Sequence, residues 1–291
     1  MSESMPSTAV APARADRAPD TTSWRHSAFG NVVRSAGPPL LILGLFVALW
    51  YLVSYFLLSP QRRFLLPPPH QVVTVAFGDA VNRVELLQGL WITFLVAMTG
   101  LALAILLGVS IAVAMSQEEW LERSLYPYAV ILQTIPILAI VPLIGLWFGF
   151  EFMSRVIVCV LIALFPIITN TLFGLKSVDP GLHDLFTLQH ASRWTRFTKL
   201  QFPAALPAMF TGFRISAGLA VIGAIVGGFF FRRGDADLGI LLDAYRAQLR
   251  TEELFGAIFL SSLLGLSVFW IFGWVGDRLT RSWHASGDQH Q

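Results

Sequence analysis

Lysine is almost missing from this chain of 291 residues: Lys176 and Lys199 stand alone, preceded by Leu175 and Thr198. A phosphate-cradling loop needs Gly-Lys followed by Ser or Thr, so the chain is not expected to hydrolyse ATP by itself. Cysteine is scarcer still. The single Cys159 excludes an intrachain disulfide and cannot make a metal site alone, which leaves packing within an apolar run. The six His are scattered, without an HExxH pair or anything comparable, so a membrane metalloprotease lacks its ligands. Asp and Glu are absent from every long apolar stretch, which removes the proton-relay group of a proton-coupled carrier and the acid-base pair of a membrane-embedded enzyme. A net charge of +2 gives no reason to expect nucleic acid as a partner.

What fills the space is apolar: 55% of residues are hydrophobic and only 13% charged. That composition is that of an all-α polytopic membrane protein. Residues 35–61, 86–117, 124–150, 156–175 and 254–276 carry no charge, and each is long enough for the roughly 20 residues a spanning helix requires. Residues 203–231 make a sixth stretch, interrupted only by Arg214, close enough to one end to reach the interface. Six spans place both termini on one side, and more of the 20 Lys and Arg residues fall on that side, which predicts cytoplasmic termini. Residues 1–36 are rich in Ala, Pro, Ser and charge and read as a disordered cytoplasmic tail with no cleavable signal peptide. Residues 37–283 form the membrane domain, and 284–291 a C-terminal tail.

Proline punctuates the third stretch at Pro127, Pro136 and Pro142, predicting a kink or break between Gln133 and Leu143. Broken helices are tolerated in a membrane where they line a cavity or are buried against protein. Gln133 and Thr134 beside this break, with Thr169 and Asn170 after Pro166, are therefore candidates for a translocation pathway, interhelical hydrogen bonding being the alternative. Gly89, Gly100 and Gly108 suit close helix packing. Residues 232–253 form a charged loop with a short helix expected over 238–249.

A polar, helix-forming stretch between two of these spans is residues 177–218. Asp179 before Pro180 starts a helix, on which Leu182, Leu185 and Phe186 share one side. The helix ends near His190 and Ala191. Ser192 then caps a second short helix bearing Arg193, Trp194, Arg196, Phe197 and Lys199, before Pro203 and Pro207 redirect the chain. Two amphipathic helices at an interface are the expectation. The residues alone leave open an ATP-independent channel or carrier, a membrane-embedded enzyme or a scaffold, although no nucleophile and base converge.

This segment resembles the cytoplasmic coupling loop of type I ABC importer permeases, an acidic triplet followed by Gly and then Ile-x-Leu-Pro. Asp184-Leu185-Phe186 stands for the triplet, His190 for the Gly, and Leu200-Gln201-Phe202-Pro203 for the ending. The flanking text is similar to the nitrate, sulfonate and taurine permease branch at Ala191 to Trp194, Pro203 to Pro207 and Thr211 to Ile215. Leu66 to Pro69, Gln133 to Pro142 with the following Gly-Leu-Trp-Phe-Gly, and Phe165-Pro166 extend the likeness over roughly residues 60–283. Near the end of span five that branch often has Gly-Glu where this chain has Gly227-Gly228.

The resemblance implies a six-helix permease whose coupling loop, about residues 176–203, docks on a separate ATPase through Leu182, Asp184, Leu185, Phe186, His190, Arg193, Trp194, Arg196 and Phe197. It implies two cytoplasmic ABC ATPase subunits holding ATP and Mg, with no cofactor bound by this chain. It also implies a second permease copy, an extracytoplasmic solute-binding protein, and a place in the plasma membrane. Transport by alternating access of a small delivered solute follows from the resemblance.

Overall fold

The computed structural model describes residues 24–284, with side chains for residues 37–280. Residues 1–23 and 285–291, and with them most of the two expected tails, lie outside the described residues. Every regular element among the described residues is helical. The first unit ends at Leu57, and its described part is α1 (Trp24–Leu52) with a π turn at Val53–Leu57. Most of α1's side chains from Leu40 to Leu49 are exposed and apolar, as a lipid-facing helix requires.

The second unit, from Leu58 onward, holds the other elements. A 3₁₀ turn (Pro60–Leu65), the short α2 (Pro69–Val72) and a π turn (Val73–Gly78) lead into α3 (Ala80–Gln117). Then come α4 (Glu119–Thr134), α5 (Ile137–Phe148), α6 (Phe152–Lys176), α7 (Pro180–Leu188) and α8 (Arg193–Arg196). A π turn (Phe197–Gln201) joins α8 to α9 (Phe202–Phe231), and α10 (Leu238–Gln248) and α11 (Thr251–His284) complete the chain. Among the described residues five helices are long and apolar enough to cross a membrane, six if α4 and α5 count as one broken span. The 38 residues of α3 reach about 57 Å at ~1.5 Å per residue, well beyond a hydrocarbon core of roughly 30 Å, so α3 tilts or protrudes.

The core lies among α3, α6 and α9. Lipid offers no hydrophobic reward for bringing helices together, so association relies on close van der Waals contact, which small residues permit. At Gly100 a Cβ would collide with the side chain of Cys159, and at Gly108 with Ile167. Cys159 is buried and free, a packing residue as expected. Around these contacts sit Val96, Leu101, Ile167, Met209 and Val221, all nearly inaccessible. Across this packing the Ser216 hydroxyl of α9 donates to the Ala163 carbonyl of α6 at 2.7 Å.

The expected break falls at Ile135 and Pro136, where α4 and α5 meet at 99°. Ile135, ahead of the proline ring, adopts an extended ψ of 126° that ends α4. Pro203 and Pro207 behave differently from expectation: they do not redirect the chain. Pro203 falls in the first turn of α9, where no amide donor is needed, and the π turn before it absorbs the offset, so α8 runs into α9 as one apolar stretch from Arg193 to Phe231.

Candidate functional site

At one end of the bundle, α7 and α8 form a projecting pair. Asp179 Oδ1 accepts from the Gly181 amide at 2.6 Å and Ser192 Oγ from the Thr195 amide at 3.2 Å, so both helices start at the residues the sequence marks. Between them His190 takes φ +50°, the left-handed conformation that the glycine of the coupling pattern would adopt without a Cβ penalty. The Ala191 amide closes the turn on the Phe186 carbonyl at 3.0 Å.

The nine candidate docking residues divide into two sets. Leu182, Asp184, Leu185, His190 and Trp194 are exposed, Trp194 at 72%. Phe186 is half-buried, and Phe197 turns inward, packing on the core with Phe202 at 5.8 Å between ring centres. The two arginines are engaged within the chain: Arg193 pairs with Glu118 at 2.8 Å, and Arg196 donates to the Thr187 hydroxyl at 3.0 Å. Lys176 pairs with Glu122. Both glutamates belong to the start of α4, so Arg193 ties α8 to the broken span and Lys176 ties the end of α6 to it. Sequence reasoning missed Leu188, 78% exposed and one helical turn beyond Leu185, which periodicity alone reveals. It also missed Glu118, for which no local signal exists.

Deeper in the bundle, the break between α4 and α5 opens a cavity of about 630 Å³ against α6 and α9. Gln133, Thr169 and Asn170 line it, with Ile135, Phe165 and Ile222 among the apolar residues. Thr134 does not line it; its hydroxyl donates to the Ile131 carbonyl of its own helix at 2.9 Å. Thr169 and Asn170 bond to carbonyls of α6 rather than across helices.

The opposite end holds a feature unseen in the sequence. Arg155, in the first turn of α6, and Asp237, ahead of α10, form an ion pair at 2.8 Å with side chains 2% and 0% exposed. Arg155 also donates to the carbonyls of Asp235 (3.1 Å) and Arg233. Asp237 Oδ1 accepts from the Ile240 amide at 2.8 Å, and the Leu238 amide donates to the Thr93 hydroxyl at 2.9 Å. Burial pushes the Asp237 carboxyl above its ordinary range, against the pull of Arg155 and of the Ile240 and Gly239 amides. A Cβ at Gly228 would strike this carboxylate. Beside Gly227-Gly228, where the resembled branch often has Gly-Glu, an acid is thus delivered from the following loop.

Comparison with known proteins follows the same lines. The family profile for the binding-protein-dependent transport system inner membrane component matches residues 104–281. The formylaminopyrimidine transport permease protein ThiX of Halalkalibacterium halodurans is 36% identical over 236 residues, 79% of this chain and 90% of that protein. The putative aliphatic sulfonates transport permease protein SsuC of Bacillus subtilis is 29% identical over 226 residues, 78% of this chain and 80% of that protein. Among solved structures, the MetNI methionine ABC transporter in inward-facing conformations has a chain that superposes with a TM-score of 0.58 at 17% identity. The match covers 70% of this chain and 98% of that chain, a likeness of fold.

Proposed function

The chain belongs to the family of binding-protein-dependent transport system inner membrane components, and we propose that it works as one of two permease copies driven by two cytoplasmic ABC ATPase subunits. It is the transmembrane subunit of an ABC importer. In the proposed assembly α7 and α8 face the cytoplasm, both termini lie on that side of the plasma membrane, and a solute-binding protein delivers from the other. ATP and Mg stay with the ATPases; this chain binds neither.

The observation that carries this reading is the exposed apolar row of Leu182, Leu185, Leu188 and Trp194 on two capped helices that project from the bundle. Such a row fits a groove as an amphipathic helix does. The tie from Arg193 of α8 to Glu118 would give ATPase closure a path into α4 and so to the cavity: two packings of the broken span, biased by differential ATPase contacts, would alternate the opening. The relatives named for formylaminopyrimidine and for aliphatic sulfonates bracket the solute between a neutral heteroaromatic and an anion.

The test is a charge reversal. Asp184→Lys combined with Arg193→Glu should separate ATP hydrolysis from uptake, or lose the ATPase on copurification, while the protein still inserts in the membrane. Wild-type uptake by the double variant, or a pure homo-oligomer that transports without ATP, would overturn the reading.

A further inference from the structure

The wall of the cavity at the α4–α5 break bears on which solute it passes, a step that rests on the permease reading above and narrows the solute. Of its three polar lining residues, two are partly engaged within α6. The Thr169 hydroxyl donates to the Phe165 carbonyl at 3.0 Å, and Asn170 Nδ2 donates to the Pro166 carbonyl at 2.8 Å. Pro166 has no N–H, so the Ile162 carbonyl one turn earlier loses its usual helical donor. What these residues still offer is three acceptors, Asn170 Oδ1, the Thr169 lone pairs and the Ile162 carbonyl, beside one donor, the second N–H of Asn170 Nδ2. Gln133 on the facing wall adds one amide with both a donor and an acceptor.

Among the described residues no Lys, Arg or His lines this space. A full charge at membrane depth is costly without a facing cation, and a few amide N–H groups offset that cost less than they satisfy a neutral polar solute. The remaining lining is apolar, with the Phe165 ring and flat faces of Ile and Leu, and a volume of about 630 Å³ suits a solute of one to three fused rings. Amide side chains pair well with the edge of an amino-substituted ring that presents a donor beside an acceptor. We propose that this cavity passes a neutral, planar heteroaromatic solute bearing N–H donors, of the aminopyrimidine, purine or flavin kind, and rejects oxyanions.

The experiment uses cells expressing the whole transporter, permease with its copurifying ATPase and binding protein. Uptake of radiolabelled 4-amino-2-methylpyrimidine, adenine and riboflavin is compared with uptake of taurine and nitrate. The expected result is ATP-dependent uptake of at least one heteroaromatic probe and of neither anion. Asn170→Leu should then lower that uptake about tenfold, the loss of roughly one hydrogen bond, while Asn170→Gln, which keeps the amide, should retain most of it. ATPase copurification is followed in each variant, so a failure to assemble is recognised. Uptake of taurine or nitrate, no uptake of any heteroaromatic probe, or indifference to Asn170→Leu overturns the solute class. An assembled, ATP-driven complex that carries taurine would sink this inference and leave the permease reading intact.

Discussion

The two ends of the α3–α6–α9 bundle are each held by an ion pair of the same length, 2.8 Å, and the two pairs do different jobs. Arg155 and Asp237 are sealed from solvent, and backbone carbonyls and amides supply further hydrogen bonds, although Arg155 Nε is buried without a partner. Arg193 and Glu118 lie open, at 84% and 47% side-chain exposure. A buried pair is expensive to leave half-made, whereas water and salt already compete for an exposed one. One end is thus completed within the chain. The other is tied together loosely and ends in Leu182, Leu185, Leu188 and Trp194, apolar groups that the chain does not cover. Under the proposed function the difference suggests a division of labour: the closed end would act as a fulcrum and the uncovered end would take the partner.

Removing one member of the buried pair should break the contrast most severely. Asp237→Ala strands the Arg155 guanidinium and is expected to cost about 3–5 kcal/mol, read as a large fall in the thermal midpoint of the purified protein. Replacing both, Arg155→Met with Asp237→Leu, should recover much of that loss, since well-packed apolar groups often substitute for a buried pair. Next in size, Leu185→Asp at the other end should leave the thermal midpoint unchanged and yet weaken ATPase copurification by about 2 kcal/mol or more, as for a hot-spot contact. His190→Gly relieves a side chain at φ +50° and is expected to stabilise the α7–α8 turn by about 1 kcal/mol, visible as slower amide exchange over residues 180–196. The smallest effect belongs to Glu118→Gln, about 0–1 kcal/mol on stability. Its consequence should appear in the coupling of ATP hydrolysis to uptake instead.

Local chemistry made much of this legible in the sequence. Asp179 and Ser192 mark their helices because a cap acts within three residues, and Pro136 marks the break because its ring acts on its neighbour. The positive φ at His190 followed from its place in a pattern that has glycine. Arg155 and Asp237, 82 residues apart, and Arg193 and Glu118, 75 apart, meet only because helices return side by side, and nothing in their neighbourhoods announces it. The continuity through Pro203 and Pro207 was hidden for another reason: a single π turn changes the register of the helix before the first proline, which residue spacing does not encode. Thr134 was assigned to the cavity by adjacency to Gln133, yet successive helical residues point about 100° apart, and only Gln133 lines the space.

Cysteine crosslinking at Leu185 tests the division of labour between the two ends most directly. With Leu185→Cys in the assembled complex, a short bifunctional thiol reagent supplied from the cytoplasmic side should join this chain to the ATPase, and the yield should change when ATP is bound. Labelling of that cysteine from the extracytoplasmic side by a membrane-impermeant maleimide, or no crosslink to any ATPase during turnover, would contradict it.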